Sequence, residues 1–279
     1  MCPEEKLLII IAFGSSRPEP GEGGLMIVLA IGDVVGEPGV DLLCRKLRLL
    51  QRRLGADLTV VNGENAAGRG ITPRLADEIF SAGADVITLG NHTFGNRQIC
   101  DYLDDHRQIL RPMNFPPQQP GQGYVLLECC GRQVCVCNLQ GQVNLDYHAS
   151  SPFVMADRLF QEVEAEIYLV DFHAEATSEK LAMGYHLNGR AAAVWGTHTH
   201  VPTADIRILS GGTGYITDLG MTGGQDSVLG VRWEQSLNMF RGNLTERFQP
   251  SDRDVRLQGA VFTIGADGRC AEAARVDFC

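Results

Sequence analysis

The chain has 279 residues with a formal net charge of −10, 44% hydrophobic and 21% charged, the balance of a globular protein with core enough for one large α/β domain or two modest ones. The negative charge excludes a surface that coats nucleic acid, although a bound cation can invert the sign locally and admit a small nucleotide or other phosphate ester. No apolar run approaches the ~20 residues of a membrane span, and 9 cysteines, odd in number and without small-scaffold spacing, read as reduced thiols of a cytoplasmic protein.

Residues 1–25 stand apart. "MCPEEKLLIIIAFG" has an apolar centre, but its leading charges are mostly acidic and no clean cleavage site follows, which makes a poor signal peptide. "SSRPEPGEGG" then has the composition of a linker. The expectation is an N-terminal extension over 1–25 and one functional domain over 26–279.

From Met26 the punctuation is regular. "MIVLAIG" reads as a buried strand, and "PGVDLLCRKLRLLQRRLG" as a helix with Pro38 near its first turn and Gly55 after its end. "DLTVVNG" and "ADVITLG" are further strands, "TPRLADEIFSAG" and "NRQICDYLDDH" further helices, so a parallel sheet with right-handed crossovers follows. "GYVLLECCGRQVCVCNL" reads as a hairpin whose Cys129, Cys130, Cys135 and Cys137 are core thiols in preference to a metal set or disulfide. "PFVMADRLFQEVEAE" and "AEATSEKLAMGYHL" are helical, while "IYLVDF" and "AAAVWG" are strands. "ADIRILSGGTGYITD" and "VRLQGAVFTIGADGRCAEAARVDF" close the chain as hairpins, the second turning on Asp267-Gly268. The sum is two stacked sheets with helices outside.

Polar residues recur where these strands end. The first strand is followed by Asp33, the second by Glu64 and Asn65, the third by Asn91 and His92. "YLVDFHAE" ends in His173, and "AVWGTHTH" in His198 and His200, an alternating pair whose imidazoles share one side if the backbone stays extended. The carboxyl ends of parallel strands share one edge, where ligands bind. Each residue alone has an ordinary structural explanation, such as a helix cap or a turn. The recurrence does not.

No serine or cysteine sits in a nucleophile-elbow context, so a covalent acyl route lacks its nucleophile. Imidazole, carboxylate and amide oxygen suit borderline first-row cations such as iron, manganese or zinc. Charge counting favours two: four positive charges against Asp33, Glu64 and a bridging hydroxide leave a surplus that a phosphate ester neutralises. Two such ions ~3.5–4 Å apart activate water and stabilise both oxygens of an in-line displacement.

These motifs resemble the dinuclear metallophosphoesterases of the calcineurin-like superfamily. "LGNH" and "GTHTH" match its Gly-Asn-His and Gly-His-x-His blocks, whereas "GDVVG" and "NGENAAG" depart from its Asp-x-His and Gly-Asp-x-x-Asp blocks. With "VDFHAEATSEK" and "GTHTHVPTAD", those departures resemble the YmdB-like branch, phosphodiesterases acting on 2′,3′-cyclic nucleotides. The resemblance implies an αββα sandwich with metals at the carboxyl ends of the strands. It implies a first ion held by Asp33, Glu64, Asn65 and His200, and a second by the bridging Glu64 with Asn91, His173 and His198. Iron is the first expectation for both, with manganese or zinc as alternatives, and His92 is implied as proton donor to the leaving group. His198 and His200 would then serve different ions, with Thr199 turned away between them.

Weaker expectations concern the substrate. Arg69, between Gly68 and Gly70, is within the repertoire of phosphate contacts, and "DLGMTGGQDSVLG", with Thr222 and Gly223, offers backbone N–H groups to a cleft. His106, His148 and His186 lie outside the motif blocks and read as surface or structural. A homo-oligomer is compatible with the sequence. A nucleotide-binding module without chemistry is the rival, but Gly32, Gly36 and Gly39 lack G-x-G-x-x-G spacing and leave the histidines without work. The other rival is a regulatory protein that senses metal without catalysis.

Overall fold

The computed structural model describes residues 7–13, 24–145, 149–244 and 246–279. His148, residues 1–6 and the linker residues 14–23 lie outside the described residues. Strands β1 (Leu7–Phe13), β2 (Met26–Ile31) and β3 (Asp33–Val34) precede helix α1 (Gly36–Leu54). The alternation continues through β4 (Leu58–Asn62), α2 (Pro73–Ala82), β5 (Val86–Thr88), α3 (Ile99–Asp105) and β6 (Ile109–Leu110). The hairpin β7 (Tyr124–Cys129) and β8 (Arg132–Gln140) leads to α4 (Pro152–Glu162), β9 (Ile167–His173), α5 (Thr177–His186) and β10 (Ala193–Thr197). Then come β11 (Arg207–Ile208), β12 (Gly214–Ile216), β13 (Met221–Gly224), α6 (Trp233–Phe240), β14 (Val255–Ile264) and β15 (Cys270–Phe278).

One sheet runs β1-β15-β14-β2-β4-β5-β6, with β13 bonded to β14 and β3. Its β2-β4-β5-β6 half is parallel, as the crossover helices require. The other sheet runs β11-β12-β10-β9-β8-β7, parallel from β8 to β12 and edged by the antiparallel β7 and β11. Local signals set the helix limits. Thr72 accepts from Leu75 N–H and Pro73 opens α2, while Gly55 ends α1 at φ 66°.

Three apolar clusters define four layers. Leu43, Leu47 and Leu50 of α1 and Ile79 of α2 pack on Leu29, Ile31 and Val61 of the first sheet. Val28, Val60, Val136, Leu169, Trp195 and Phe262 fill the space between the sheets. Leu159 of α4 and Met183 of α5 cover Cys135, Cys137, Val170 and Phe172 on the far side of the second sheet. This is the αββα sandwich expected.

The space between the sheets carries the functional pattern. Side chains alternate along a strand with period two, so the residue following Leu58 and Val60 on that face is Asn62, and those following Ile167 and Leu169 are Asp171 and His173. Ala193 and Trp195 are followed by Thr197, and Val134 and Val136 by Asn138 and Gln140. The face is apolar at the amino ends of the strands and polar at the carboxyl ends, with Asn62, Asp171, His173 and Thr197 all buried.

The N-terminal segment differs from a free extension. Leu7–Phe13 forms β1 and pairs antiparallel with β15 from Leu7↔Phe278 to Phe13↔Glu272. "LLIIIAF" has the β-branched, apolar character that an edge position accepts, and Leu7 packs against the cluster beneath α1. Cys135 and Cys137 are buried on one face of β8, while Cys130 is exposed at the hairpin turn.

Candidate metal centre

Five strand ends bring the expected donors to one rim. Asp33 opens β3, Glu64 and Asn65 follow β4, Asn91 and His92 follow β5, His173 ends β9, and His198 and His200 follow β10. Asp33, Glu64 and His173 are completely buried. Gly90 makes room for them, because a Cβ there would lie 2.3 Å from Glu64 Oε2 and 2.3 Å from His173 Nε2.

Around His173 Nε2 the separations are those of neighbouring donors on one small cation. Glu64 Oε1 lies at 3.1 Å, Asn91 Oδ1 at 3.0 Å and His198 Nδ1 at 3.1 Å. Bonds of ~2.1 Å place adjacent donors at about 3 Å. The opposite ring nitrogens fix the tautomers. Thr197 Oγ1 donates to Asp171 Oδ1 at 2.7 Å, so it accepts from His173 Nδ1–H at 2.9 Å and leaves Nε2 with its lone pair. His198 Nε2 faces Glu175 Oε2 at 3.1 Å, which puts the proton there and a lone pair on Nδ1. Four acceptors therefore converge with no proton to share. A cation fits that arrangement.

The other half of the rim is less tightly gathered. His200 Nε2 is 3.8 Å from Asp33 Oδ1, and Asp33 Oδ1 is buried without a hydrogen-bond partner. Asp33 Oδ2 accepts from His198 N–H at 3.1 Å. Asn65 Nδ2 lies 3.0 Å from His200 Nε2, while its amide oxygen accepts from His92 Nδ1–H at 3.0 Å. Of the donors implied for the first ion, Asn65 is the one whose oxygen points away from the others.

The electrostatics suit a cation at this rim. Burial raises the carboxyls of Asp33 and Glu64 above their ordinary range, against opposing pulls from the neighbouring histidines. Burial also pushes His173 and His198 down to about 3. A cation reverses the carboxyl effect and binds imidazole in its neutral form. His92 is lowered too, chiefly by burial; Glu64 opposes that shift and the Arg69 charge adds to it.

The His198/His200 pair is arranged differently from the extended alternation expected. β10 ends at Thr197, and both histidines take left-handed backbone, φ 98° and 63°. Such φ values are costly for residues with a Cβ and persist only where the surroundings dictate them. Here they do. Thr199, turned away as expected, donates from N and Oγ1 to Asp218 Oδ2 at 3.2 and 2.8 Å, and Lys180 Nζ meets the same oxygen at 2.6 Å. Leu229 O accepts from His200 Nδ1–H at 3.0 Å, leaving Nε2 toward Asp33.

The substrate expectations divide. Arg69 lines a cleft beside Asn65 and His200. Thr222 and Gly223 do not: both are buried in β13, paired with Val34 of β3 and Arg256 of β14. The glycines that suggested a cleft-lining loop instead permit close packing, since a Cβ on Gly224 would meet Ser251 O at 2.4 Å. Only the far end of that stretch, at Leu229, reaches the cleft. His106 is exposed and stacked on Tyr102, and His186 pairs with Asp157 at 3.0 Å, both away from the rim.

The sequence model of the YmdB-like protein family matches residues 29–276. The chain belongs to the YmdB-like family. It is 44% identical over 255 residues to a Bacillus subtilis (strain 168) protein named 2′,3′-cyclic-nucleotide 2′-phosphodiesterase, covering 90% of this chain and 96% of that one. Among solved structures, it resembles a hypothetical protein from Thermus thermophilus at 39% identity and a TM-score of 0.83, over 90% of this chain and 98% of that one. It also resembles a Mycoplasma pneumoniae phosphatase at 32% identity and a TM-score of 0.84, over 91% and 94% of the two chains.

Several residues of the YmdB-like centre escaped the strand-end reading: Asp171, Thr197, Glu175, Lys180 and Asp218. Asp171 sits beneath the donors, where it accepts from Thr88 and Thr197 hydroxyls and from Asn62 Nδ2 at 3.2 Å. Burial raises its carboxyl to about 7. Its signal was available in "VDFH", where an acid two residues before His173 must share its face.

Proposed function

We propose that the protein is a dinuclear metal-dependent phosphodiesterase that hydrolyses 2′,3′-cyclic nucleotides. The observation that carries this reading is the convergence of Glu64, Asn91, His173 and His198 with no proton among them. It is a phosphoric ester hydrolase by its family and relatives, and the named activity of the Bacillus subtilis relative supports the cyclic substrate. Asp33, Glu64, Asn65 and His200 would hold one ion, and Glu64, Asn91, His173 and His198 the other. Iron is the proposed metal, with manganese or zinc as alternatives of the same borderline character.

When bound, two such cations offset the phosphate charge and acidify the attacking water. The chain's own groups do the rest. His92 Nδ1–H is spent on Asn65 Oδ1, so only the imidazolium form, which the nearby Glu64 carboxylate favours against burial, carries a second proton on Nε2 for the departing ribose oxygen. Glu64 Oε2 accepts from His92 N–H at 3.1 Å, which ties the proton donor to the carboxylate that would belong to both donor sets. Arg69 offers the phosphate a guanidinium held in the loop where Gly68 and Gly70 have φ 81° and 84°. Residues 26–279 are the functional unit in this reading. Free thiols, Cys130 exposed among them, support a reducing, cytoplasmic setting. No helix among the described residues is long and apolar enough to cross a membrane.

The deciding experiment is metal analysis of the purified protein, with turnover of cyclic and linear nucleotides before and after chelation. Two ions per chain, and activity that chelator abolishes and metal restores, are expected. Protein without stoichiometric metal, or with metal and no turnover of any ester, overturns the proposal in favour of a binding or sensing role.

A further inference from the structure

We infer that the cleft beside the metal centre is built for the 3′ end of an oligoribonucleotide, not a single nucleotide. The inference rests on the phosphodiesterase reading for its reaction and on the cleft for its substrate class. The cleft has a volume of about 1600 Å³ and is lined by Asn65 and His200 of the donor rim together with Arg232, Arg247 and Phe248 of the segment around α6. Sites for one small molecule span ~300–1,000 Å³. A mononucleotide with its phosphate at the rim leaves most of this space unused.

The lining has the chemistry of a single-stranded nucleic acid site. Arg69, Arg232 and Arg247 make no side-chain hydrogen bond or salt bridge among the described residues, so their donors are free for phosphate oxygens. In a chain of net charge −10, the cleft carries four guanidinium groups, with Arg74, against the carboxylates of Glu37, Glu246 and Asp252. Arg74 is engaged by Glu78. The first turns of α1 and α2 also open onto the cleft and add the positive ends of two helix dipoles. Phe248, 39% exposed, offers a face on which a base stacks. A few phosphates bound in one cleft need no basic coat over the rest of the surface.

The reaction is unchanged. Water adds to the phosphorus of a terminal 2′,3′-cyclic phosphate and gives up a proton to solvent, one ribose P–O bond breaks, and His92 protonates the departing oxygen and is reprotonated from solvent. What the cleft adds is hold on the nucleotides 5′ of that phosphate.

The test compares kcat/KM of the metal-loaded enzyme on a 2′,3′-cyclic mononucleotide and on a tetraribonucleotide ending in the same cyclic phosphate. At least a tenfold preference for the tetranucleotide is expected. For two neutralised phosphates that preference should fall about sevenfold between 50 and 200 mM salt. In Arg232→Ala/Arg247→Ala the preference should collapse while the mononucleotide value changes at least fivefold less. Fluorescence anisotropy of a 5′-labelled tetranucleotide 3′-phosphate reads the cleft without turnover, and the double variant should bind it at least tenfold more weakly. Equal kcat/KM on the two esters, or equal binding by wild type and double variant, overturns the inference. Failure of the phosphodiesterase reading would show instead as tight binding of the labelled strand with neither ester hydrolysed.

Discussion

The two halves of the donor rim are prepared to different degrees. Around His173 the donors already stand about 3 Å apart, and each imidazole has its far nitrogen tied, His173 to Thr197 and His198 to Glu175. Around Asp33 the closest imidazole nitrogen is 3.8 Å away, and the Asn65 amide oxygen faces His92. One half is preorganised by hydrogen bonds below it; the other is not. The second ion should therefore bind more tightly than the first, and variants that act on one half should leave the other measurable.

Glu64→Gln attacks both halves and should have the largest effect. It keeps the side chain's shape but removes the one carboxylate proposed to touch both ions, in a site where burial already disfavours that charge. Metal content should drop to one ion or none, and turnover by roughly 10³-fold or more, the scale of losing an electrostatic stabiliser in a dry site. Two tightly held ions with full turnover would remove Glu64 from the bridge.

His92→Ala separates chemistry from metal binding. Metal content should stay near normal while hydrolysis of nucleotide esters falls about 10²-fold or more, within the range of general-acid catalysis. A p-nitrophenyl ester, whose leaving group needs no proton, should suffer much less. Asn91→Ala should weaken the tighter ion and harm both esters alike. Loss of metal from His92→Ala would make His92 a ligand.

Thr197→Val sharpens the comparison further, because it is nearly isosteric and acts on the preorganised half alone. It leaves His173 Nδ1–H without an acceptor and frees the ring to turn. Affinity for the tighter ion should fall about 10–100-fold, the usual cost of losing the group that orients a ligating imidazole. Binding of the weaker ion should barely change, and Thr197→Ser should restore both. An unchanged pair of affinities would mean that packing, not the Asp171–Thr197–His173 chain, orients the ligand.

That contrast also explains what could be read in advance. Donors such as Asp33, Glu64, Asn91 and His198 follow apolar runs and break their pattern, so one strand at a time exposes them. Asp171, Thr88 and Thr197 belong to the strands themselves, where a lone polar residue is unremarkable. Their meaning appears only when β4 pairs with β5 and β9 with β10, and the two sheets stack so that the polar positions of their inner faces meet. The left-handed His198 and His200 were hidden for another reason: the strain is stabilised by Lys180 and Asp218, which lie 18 residues before His198 and 18 after His200 in the chain. Thr222 and Gly223 misled because glycine marks both loops and tightly packed strands.

The smallest effect should come from the region farthest from the rim. β1 occupies the outer edge of its sheet, separated by β15 and β14 from the parallel strands that carry the donors. Its whole pairing is one ladder, Leu7↔Phe278 to Phe13↔Glu272. Removing residues 1–25 makes β15 the edge, and its other neighbour, β14, stays paired along its length. Metal content and kcat/KM should be unchanged. Stability should fall only slightly, about 1–2 kcal/mol or a few degrees in Tm for a chain of this size. Calorimetry and metal analysis of the truncated protein measure both. A loss of bound metal would mean that the edge ladder holds β14 and, through β13, the Asp33 end of β3 in place, and the looser half of the rim would be the first to show it.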